Sequence, residues 1–227
     1  MTKKVSVEKK ILIANEEYAD ANRSFFAERN ICCLNMISSP GSGKTTILVK
    51  TIELLKEKLN IGVIEGDIQT EIDAERIRAT KAQAIQINTE GACHLSAAQV
   101  SWAMDKLNFE KLGLVVIENV GNLVCPSAFE LGENAKVVVL SVAEGDDKPV
   151  KYPHIFAHSK ALVINKIDLL EGAAADDFSI ARVEEDVKRL NPDIKIFTVS
   201  AKTGVGMSDW CEWLCDLKNP NVCQDVK

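Results

Sequence analysis

Short apolar runs, separated by longer amphipathic stretches, organise this chain. Seven runs have strand length: Cys32–Ile37, Gly62–Glu65, Ala84–Ile87, Leu114–Ile117, Val137–Ser141, Ala161–Ile164 and Lys195–Val199. Several are continuous rather than alternating, as expected of parallel strands covered on both faces. Between them the spacing predicts helices over Thr45–Leu59, Glu71–Lys81, Leu95–Leu107, Ala181–Leu190 and Met207–Leu217. Strand-helix alternation specifies an α/β fold, a doubly wound and mostly parallel sheet flanked by helices. Residues 1–30 read as a helical extension with Ile11, Ala14, Tyr18 and Ala21 on one stripe. Residues 31–218 form the main domain, and 219–227, opening on Asn219-Pro220-Asn221, read as a flexible tail.

Composition narrows the class. The chain has 227 residues, 46% hydrophobic and 26% charged, which suits one soluble globular domain with a full core. A net charge of -6 argues against nucleic acid as a partner, because phosphate contacts need clustered Lys and Arg. The longest apolar stretches are strand-sized, so no membrane span is expected. Met1-Thr2-Lys3-Lys4 carries positive charge without an apolar stretch behind it, so no secretory signal is read. Seven cysteines, an odd number in a chain of this length, are expected to be thiols, which places the protein in the cytoplasm.

The first apolar run is followed by Ser38-Ser39-Pro40-Gly41-Ser42-Gly43-Lys44-Thr45 and then a helix. This is the P-loop pattern in its strand-to-helix context, with Ser38 in place of the first glycine. Its backbone N–H groups wrap phosphates, assisted by the helix N-terminus. Lys44 is expected on the β- and γ-phosphates, Thr45 on Mg²⁺, and Gly41, Ser42, Gly43 and Thr46 around the phosphates. Asn165-Lys166-Ile167-Asp168 follows a later run. Guanine presents an N1–H and an N2 amino group on one edge, and a carboxylate at Asp168 accepts from both. Asn165 is placed to brace the P-loop, the Lys166 stem to lie over the base, and Ser200, Ala201 and Lys202 to complete the base site. GTP or GDP is therefore the expected nucleotide. Asp67 and Glu118 end two strands and are candidate acids for Mg²⁺ and catalysis, and Gly121 is a candidate sensor of the γ-phosphate.

Cys93-His94 and Cys125 leave the same edge of the expected sheet. Thiolate with imidazole favours Ni²⁺ or Zn²⁺ over Mg²⁺ or Ca²⁺, although the spacing matches no zinc-finger pattern. Three ligands leave a tetrahedral set incomplete, to be filled by water or a second subunit. Cys32, Cys33, Cys211 and Cys215 read instead as small buried hydrophobes, Cys223 as incidental, and His154 and His158 as surface or packing residues. Because Cys125 lies four residues beyond Gly121, nucleotide state has a short path to the metal ligands.

Taken together, Ser38–Thr45, Glu65-Gly66-Asp67, Asp73–Arg78, Cys93-His94-Leu95, Ile117–Pro126, Glu144–Pro149, Asn165–Leu169 and Ser200–Thr203 resemble the HypB family, GTPases that help insert nickel into [NiFe] hydrogenase. The resemblance implies a SIMIBI-type G domain and slow, Mg²⁺-dependent hydrolysis of GTP to GDP and phosphate. It implies a homodimer promoted by nucleotide, with Cys93, His94 and Cys125 at its interface. It also implies that Lys151 reaches the neighbouring subunit's guanine, and that a HypA-type metallochaperone and the hydrogenase large-subunit precursor are partners. Two departures matter. The Cys-x-x-Cys-Gly-Cys motif and His-rich tract of some members are missing, so N-terminal high-affinity binding and storage of nickel are not expected. Ser96 and Ala98 replace the Asp and His that follow the Cys-His pair in some members. A urease-type nickel GTPase is the nearest alternative, but Ser127 follows Cys125-Pro126 where a histidine would be expected. A metal storage or interaction module with a vestigial nucleotide site is the second.

Overall fold

A computed structural model describes residues 7–67, 72–171 and 177–218. The chain order is α1 (Val7–Glu28), β1 (Cys32–Ser38), α2 (Lys44–Leu55), β2 (Ile61–Asp67), α3 (Ile72–Ala79), β3 (Gln83–Asn88), α4 (Ala97–Met104) and β4 (Leu114–Glu118). It continues with α5 (Cys125–Ala128), β5 (Ala135–Ser141), α6 (Lys148–Lys151), α7 (Pro153–Ala157), β6 (Ala161–Asn165), α8 (Ile180–Leu190), β7 (Lys195–Thr198) and α9 (Met207–Lys218). All seven expected strands are present, and the expected tail at 219–227 and Cys223 lie outside the described residues.

The strands form one sheet in the order β3-β2-β4-β1-β5-β6-β7, and every pairing is parallel. Burial follows that order. The central β1, β4, β5 and β6 are buried at every position, whereas the edge strands β3 and β7 are not. This explains the continuous apolar runs: a central parallel strand faces helices on both sides. On one face Leu34, Met36, Val63, Val116 and Val137 pack with α2 and with Trp210 of α9. On the other, Cys33, Ile64, Val115 and Ile117 pack with Leu95, Val100 and Phe26, while Leu140, Leu162 and Ile164 pack with Phe156 and Val183. Each fully buried Leu, Ile, Val or Phe contributes about 1.5–3 kcal/mol. Trp210 also donates from its indole to Thr51 Oγ1 at 3.0 Å, so its buried N–H is satisfied. Cys32, Cys33, Cys211 and Cys215 are buried among these groups.

Helix ends follow local chemistry. The Ser96 hydroxyl accepts the Gln99 N–H and Gln99 returns the bond to Ser96 N, a capping box that starts α4 at Ala97 rather than Leu95. Ser179 caps α8 through Arg182 N. The first helix requires a correction. Its expected apolar stripe faces outward, with Ile11 and Tyr18 about half exposed and Ala14 and Ala21 exposed. The buried face is Asn15, Ala19, Asn22 and Phe26. Two asparagines win that face because neighbouring backbone offers partners. Asn15 donates to Glu130 O and accepts from Ala97 N; Asn22 donates to Ala97 O and Leu131 O. Among the described residues no helix is long and apolar enough to cross a membrane.

Candidate functional site

The P-loop leaves β1 at the carboxyl edge of the sheet, where the chain order turns to opposite sides of β1 and ligand crevices form. Gly43 has φ +95°, and a Cβ there would lie 2.6 Å from Asn165 Nδ2. Only glycine permits that approach. The same amide donates to Ser42 O at 2.9 Å, and Lys166 Nζ donates to Gly41 O at 2.6 Å. Asn165 Oδ1 accepts from Ala201 N at 3.1 Å, and Ser200 Oγ donates to Asp168 Oδ1 at 2.6 Å. Asn165, Lys166, Asp168, Ser200 and Ala201 therefore form one rim, tied directly to Gly41 and Ser42. Lys202 follows on this rim and is exposed.

Lys44 Nζ donates to Ser38 Oγ at 2.9 Å, so the serine that replaces the first glycine holds the lysine within its own loop. Ser42 Oγ donates to Glu144 Oε1, and Thr46 Oγ1 accepts from Arg76 at 3.0 Å. Gly121 comes against the P-loop from the β4 side: a Cβ there would lie 2.8–2.9 Å from Pro40. Lys151 stands apart, exposed at the end of α6 and ion-paired with Asp147.

Thr45 Oγ1 donates to Glu118 Oε1 at 2.8 Å. Glu65, opposite Glu118 in the β2–β4 register, and Asp73 of α3 complete an acidic cluster whose ligand atoms lie within 4.8 Å of one another. Asp67 ends β2, half-buried, outside that cluster. Burial, with Glu118, Asp67 and Asp73 around it, pushes Glu65 up to about 8 against the pull of Lys44. Burial pushes Glu118 up to about 7, opposed by Lys44 and the Thr45 hydroxyl. Glu65 Oε2 and Glu118 Oε2 are buried without a hydrogen-bond partner. Two orphaned carboxylate oxygens beside the P-loop threonine fit a hard divalent cation, which takes oxygen ligands.

A second constellation lies along the same edge. Cys93, His94 and Cys125 bring their ligand atoms within 4.8 Å of one another. Cys125 opens α5, and the His94 ring packs on Phe129 with centroids 3.9 Å apart. The Cys125 thiol, hydrogen-bonded to Cys93, pushes Cys93 above the ordinary thiol value, and partial burial lowers His94. A neutral imidazole with two nearby thiols offers a soft metal three ligands once the thiols lose their protons. His154 and His158 stack on each other, 4.3 Å between centroids, away from this set.

The two constellations share one stretch of chain. Residues 118–125 begin at Glu118, which holds Thr45, and end at Cys125. Between them Asn119 Oδ1 accepts from Val120 N and Leu95 N, and Asn122 Nδ2 donates to Cys93 O at 3.2 Å. Sequence reasoning missed Glu65, Asp73, Asn119 and Phe129. Its one available signal was a charged or amide side chain at the end of an apolar strand, as in Val63-Ile64-Glu65.

Comparison with known proteins fits this geometry. Residues 33–198 match the family model described as CobW/HypB/UreG, nucleotide-binding domain. The chain is 52% identical to hydrogenase maturation factor HypB of Rhizobium leguminosarum bv. viciae, over 92% of this chain and 69% of that protein. The crystal structure of Helicobacter pylori HypB in complex with nickel superposes with a TM-score of 0.86 at 38% identity, covering 94% of this chain and 99% of that one. The HypB structure from Archaeoglobus fulgidus gives 0.84 at 38% identity, covering 92% and 100%.

Proposed function

The chain belongs to the HypB family of hydrogenase maturation factors, and on that premise we propose that it is a GTP-hydrolysing metallochaperone that hands nickel to a [NiFe] hydrogenase large-subunit precursor. One observation carries this reading: residues 118–125 join the P-loop threonine at one end to a thiol of the Cys93-His94-Cys125 set at the other. A nucleotide-dependent shift of this stretch changes the spacing of the metal ligands. The working unit is a homodimer formed with GTP, in which Lys151 serves the neighbouring subunit's guanine and a HypA-type metallochaperone is the exchange partner.

For hydrolysis, Gly41, Ser42 and Gly43 present backbone N–H groups to the phosphates and Lys44 leaves Ser38 to neutralise the β- and γ-oxygens. Asp168 reads the guanine edge, held in place by Ser200. Asn165 ties that rim to the P-loop, so base recognition and phosphate grip share one frame. Gly121, against Pro40, contributes its N–H to the γ-phosphate, and Asp67 orients the attacking water. Thr45, Asp67 and Glu118 would hold Mg²⁺, which would supply charge neutralisation on the transferred phosphoryl group. Positioning and electrostatic stabilisation account for most of the acceleration in such reactions. Nickel is cargo, taken by Cys93, His94 and Cys125 with a fourth position left for water or a partner's ligand. An incomplete ligand set suits a metal that must leave again.

Binding of a fluorescent GDP, competed by GTP but not ATP, and release of phosphate from GTP test the reading. Absence of both, or equal competition by ATP, overturns it and leaves a metal-binding module.

A further inference from the structure

We infer that Asn15 and Asn22 of α1 are positioning residues for the Cys93, His94 and Cys125 set: they fix the spacing between the two loops that carry it. The loops come from different parts of the chain. One runs from Cys93 and His94 into Ala97, the first residue of α4. The other runs from Cys125 through Phe129 to Glu130 and Leu131. The first ground is the set of bonds that α1 makes to both. Asn15 accepts from Ala97 N at 2.8 Å and donates to Glu130 O at 2.7 Å. Asn22, two turns further along, donates to Ala97 O at 2.9 Å and to Leu131 O at 3.0 Å. Each amide therefore has one bond on either loop. Ala97 N belongs to the first turn of α4, where N–H groups lack helical partners, so Asn15 also satisfies a donor that the helix leaves open.

Asn15 is 7% exposed and Asn22 2% exposed. At that depth a lost bond is costly, so the four bonds hold the separation of the loops rather than follow it. An apolar helix face would also dock, but its contacts are non-directional and would not set a distance. The second ground is the seating of the Cys125 loop. A Cβ at Gly132 would lie 2.6–2.8 Å from Asn22 Cβ, Ala19 O and Arg23 N, so this segment lies flush on the backbone of α1. Buried Lys136 of β5 donates to Ser127 O and to Glu130 Oε1. The stretch 127–132 is thus held by β5 and by α1, and Phe129 within it carries the His94 ring.

The consequence is that α1, which supplies none of the three ligands, sets how closely they converge. Their ligand atoms already lie within 4.8 Å of one another. Two thiols and an imidazole on separate loops need such support, because a site left loose by about 1 Å performs poorly. That use of the spacing rests on the nickel reading; the spacing itself does not.

The test compares the full chain with Asn15→Ala, Asn22→Ala and, as a control for general destabilisation, Val187→Ala, which truncates a buried valine of α8. Spacing is read without metal, from the rate at which a fluorogenic bis-alkylating reagent bridges Cys93 and Cys125, with Cys125→Ala as the blank. Both asparagine variants should slow bridging severalfold. They should also weaken nickel binding about tenfold, the lower end of losses when a ligand's support is disturbed, with a weaker thiolate-to-nickel absorption and GDP binding retained. Val187→Ala should do neither. Asn15 is the more exposed of the two, so its variant decides the matter if Asn22→Ala does not fold. Bridging at the parental rate in the folded variants, or an equal loss in Val187→Ala, overturns the proposal. Slowed bridging in a protein whose parent binds no nickel removes the nickel reading and leaves the positioning result standing.

Discussion

Asn119 Oδ1 accepts the backbone N–H of Leu95 at 3.2 Å, from a side chain that is 1% exposed. Leu95 follows Cys93-His94, and Asn119 follows Glu118. One buried amide thus fastens the loop that carries Cys93 and His94 to the strand end that holds the P-loop threonine. Its Nδ2 donates to Asn35 Oδ1 at 3.2 Å, and Asn35 donates to Glu133 at 2.9 Å, so the orientation of the amide is fixed from behind.

Asn119→Ala leaves the Leu95 and Val120 N–H groups unpaired, at a cost of about 1–3 kcal/mol each where no water reaches them. The specific effect is on communication. Nucleotide-dependent metal affinity, expected at about fivefold or more as for other coupled sites, should fall toward unity while GDP still binds. Calorimetric metal titrations with GDP and with a GTP analogue check this. A variant with full coupling would place the link elsewhere, and Asn122, which donates to Cys93 O, is the next candidate.

Phe129 makes a different prediction because its ring packs on the His94 imidazole. Phe129→Ala frees the imidazole from its packed orientation. Metal affinity should drop about tenfold, the lower end of losses caused by disturbing a ligand's support, and drop equally with GDP and with the analogue. A loss confined to one nucleotide state would show that Phe129 belongs to the switch and not to ligand orientation.

Asp168 accepts from Ser200 on one oxygen and is aligned by the rim that holds Asn165. On the proposed reading, Asp168→Asn replaces an acceptor with a donor toward the guanine amino group. GTP should weaken by about 10–150-fold, the range for losing a charge-assisted hydrogen bond, and xanthosine triphosphate should gain. Competition against fluorescent GDP measures both. Unchanged GTP affinity would mean that this carboxylate does not read the base.

Glu133 makes stability depend on pH. Burial raises it above its ordinary value near 4.5, against the opposing hydrogen bond from Asn35. In the window between the ordinary and the raised value the folded chain holds a proton that the unfolded chain has lost. Stability attributable to this group therefore falls as pH rises through that window and is level beyond it. Glu133→Gln should flatten the slope of Tm against pH whatever it does to the absolute Tm. Parallel curves for the two proteins would show that Glu133 does not contribute to the slope.

The sheet was legible in the chain because central parallel strands are apolar on both faces, and all seven runs became strands. The short helices α5, α6 and α7 were not, since four or five residues are too few to show a 3.6-residue period. Periodicity misled at α1. Ile11 and Tyr18 read as a core stripe, but the domain presents backbone groups from residues 97, 130 and 131 to that helix, and asparagines satisfy them. Amide-to-backbone packing leaves no hydrophobic signature. The P-loop and the Asn165–Asp168 segment carried their chemistry in local spacing, and the structure places them on one rim. Glu65 and Asp73 were missed because their relation to Glu118 is set by strand register and the docking of α3, not by distance along the chain. Asn119 and Phe129 were missed because their partners, the Leu95 N–H and the His94 ring, lie far from them along the chain.

The central claim is that nucleotide state governs metal affinity through residues 118–125. Nickel titration of the wild type and Cys125→Ala, each with GDP and with a non-hydrolysable GTP analogue, with mass in solution recorded throughout, tests it most directly. The account predicts wild-type affinities that differ by about fivefold or more between the two nucleotides, a dimer favoured by the analogue, and no nucleotide dependence in Cys125→Ala. Equal wild-type affinities in the two nucleotide states would contradict it.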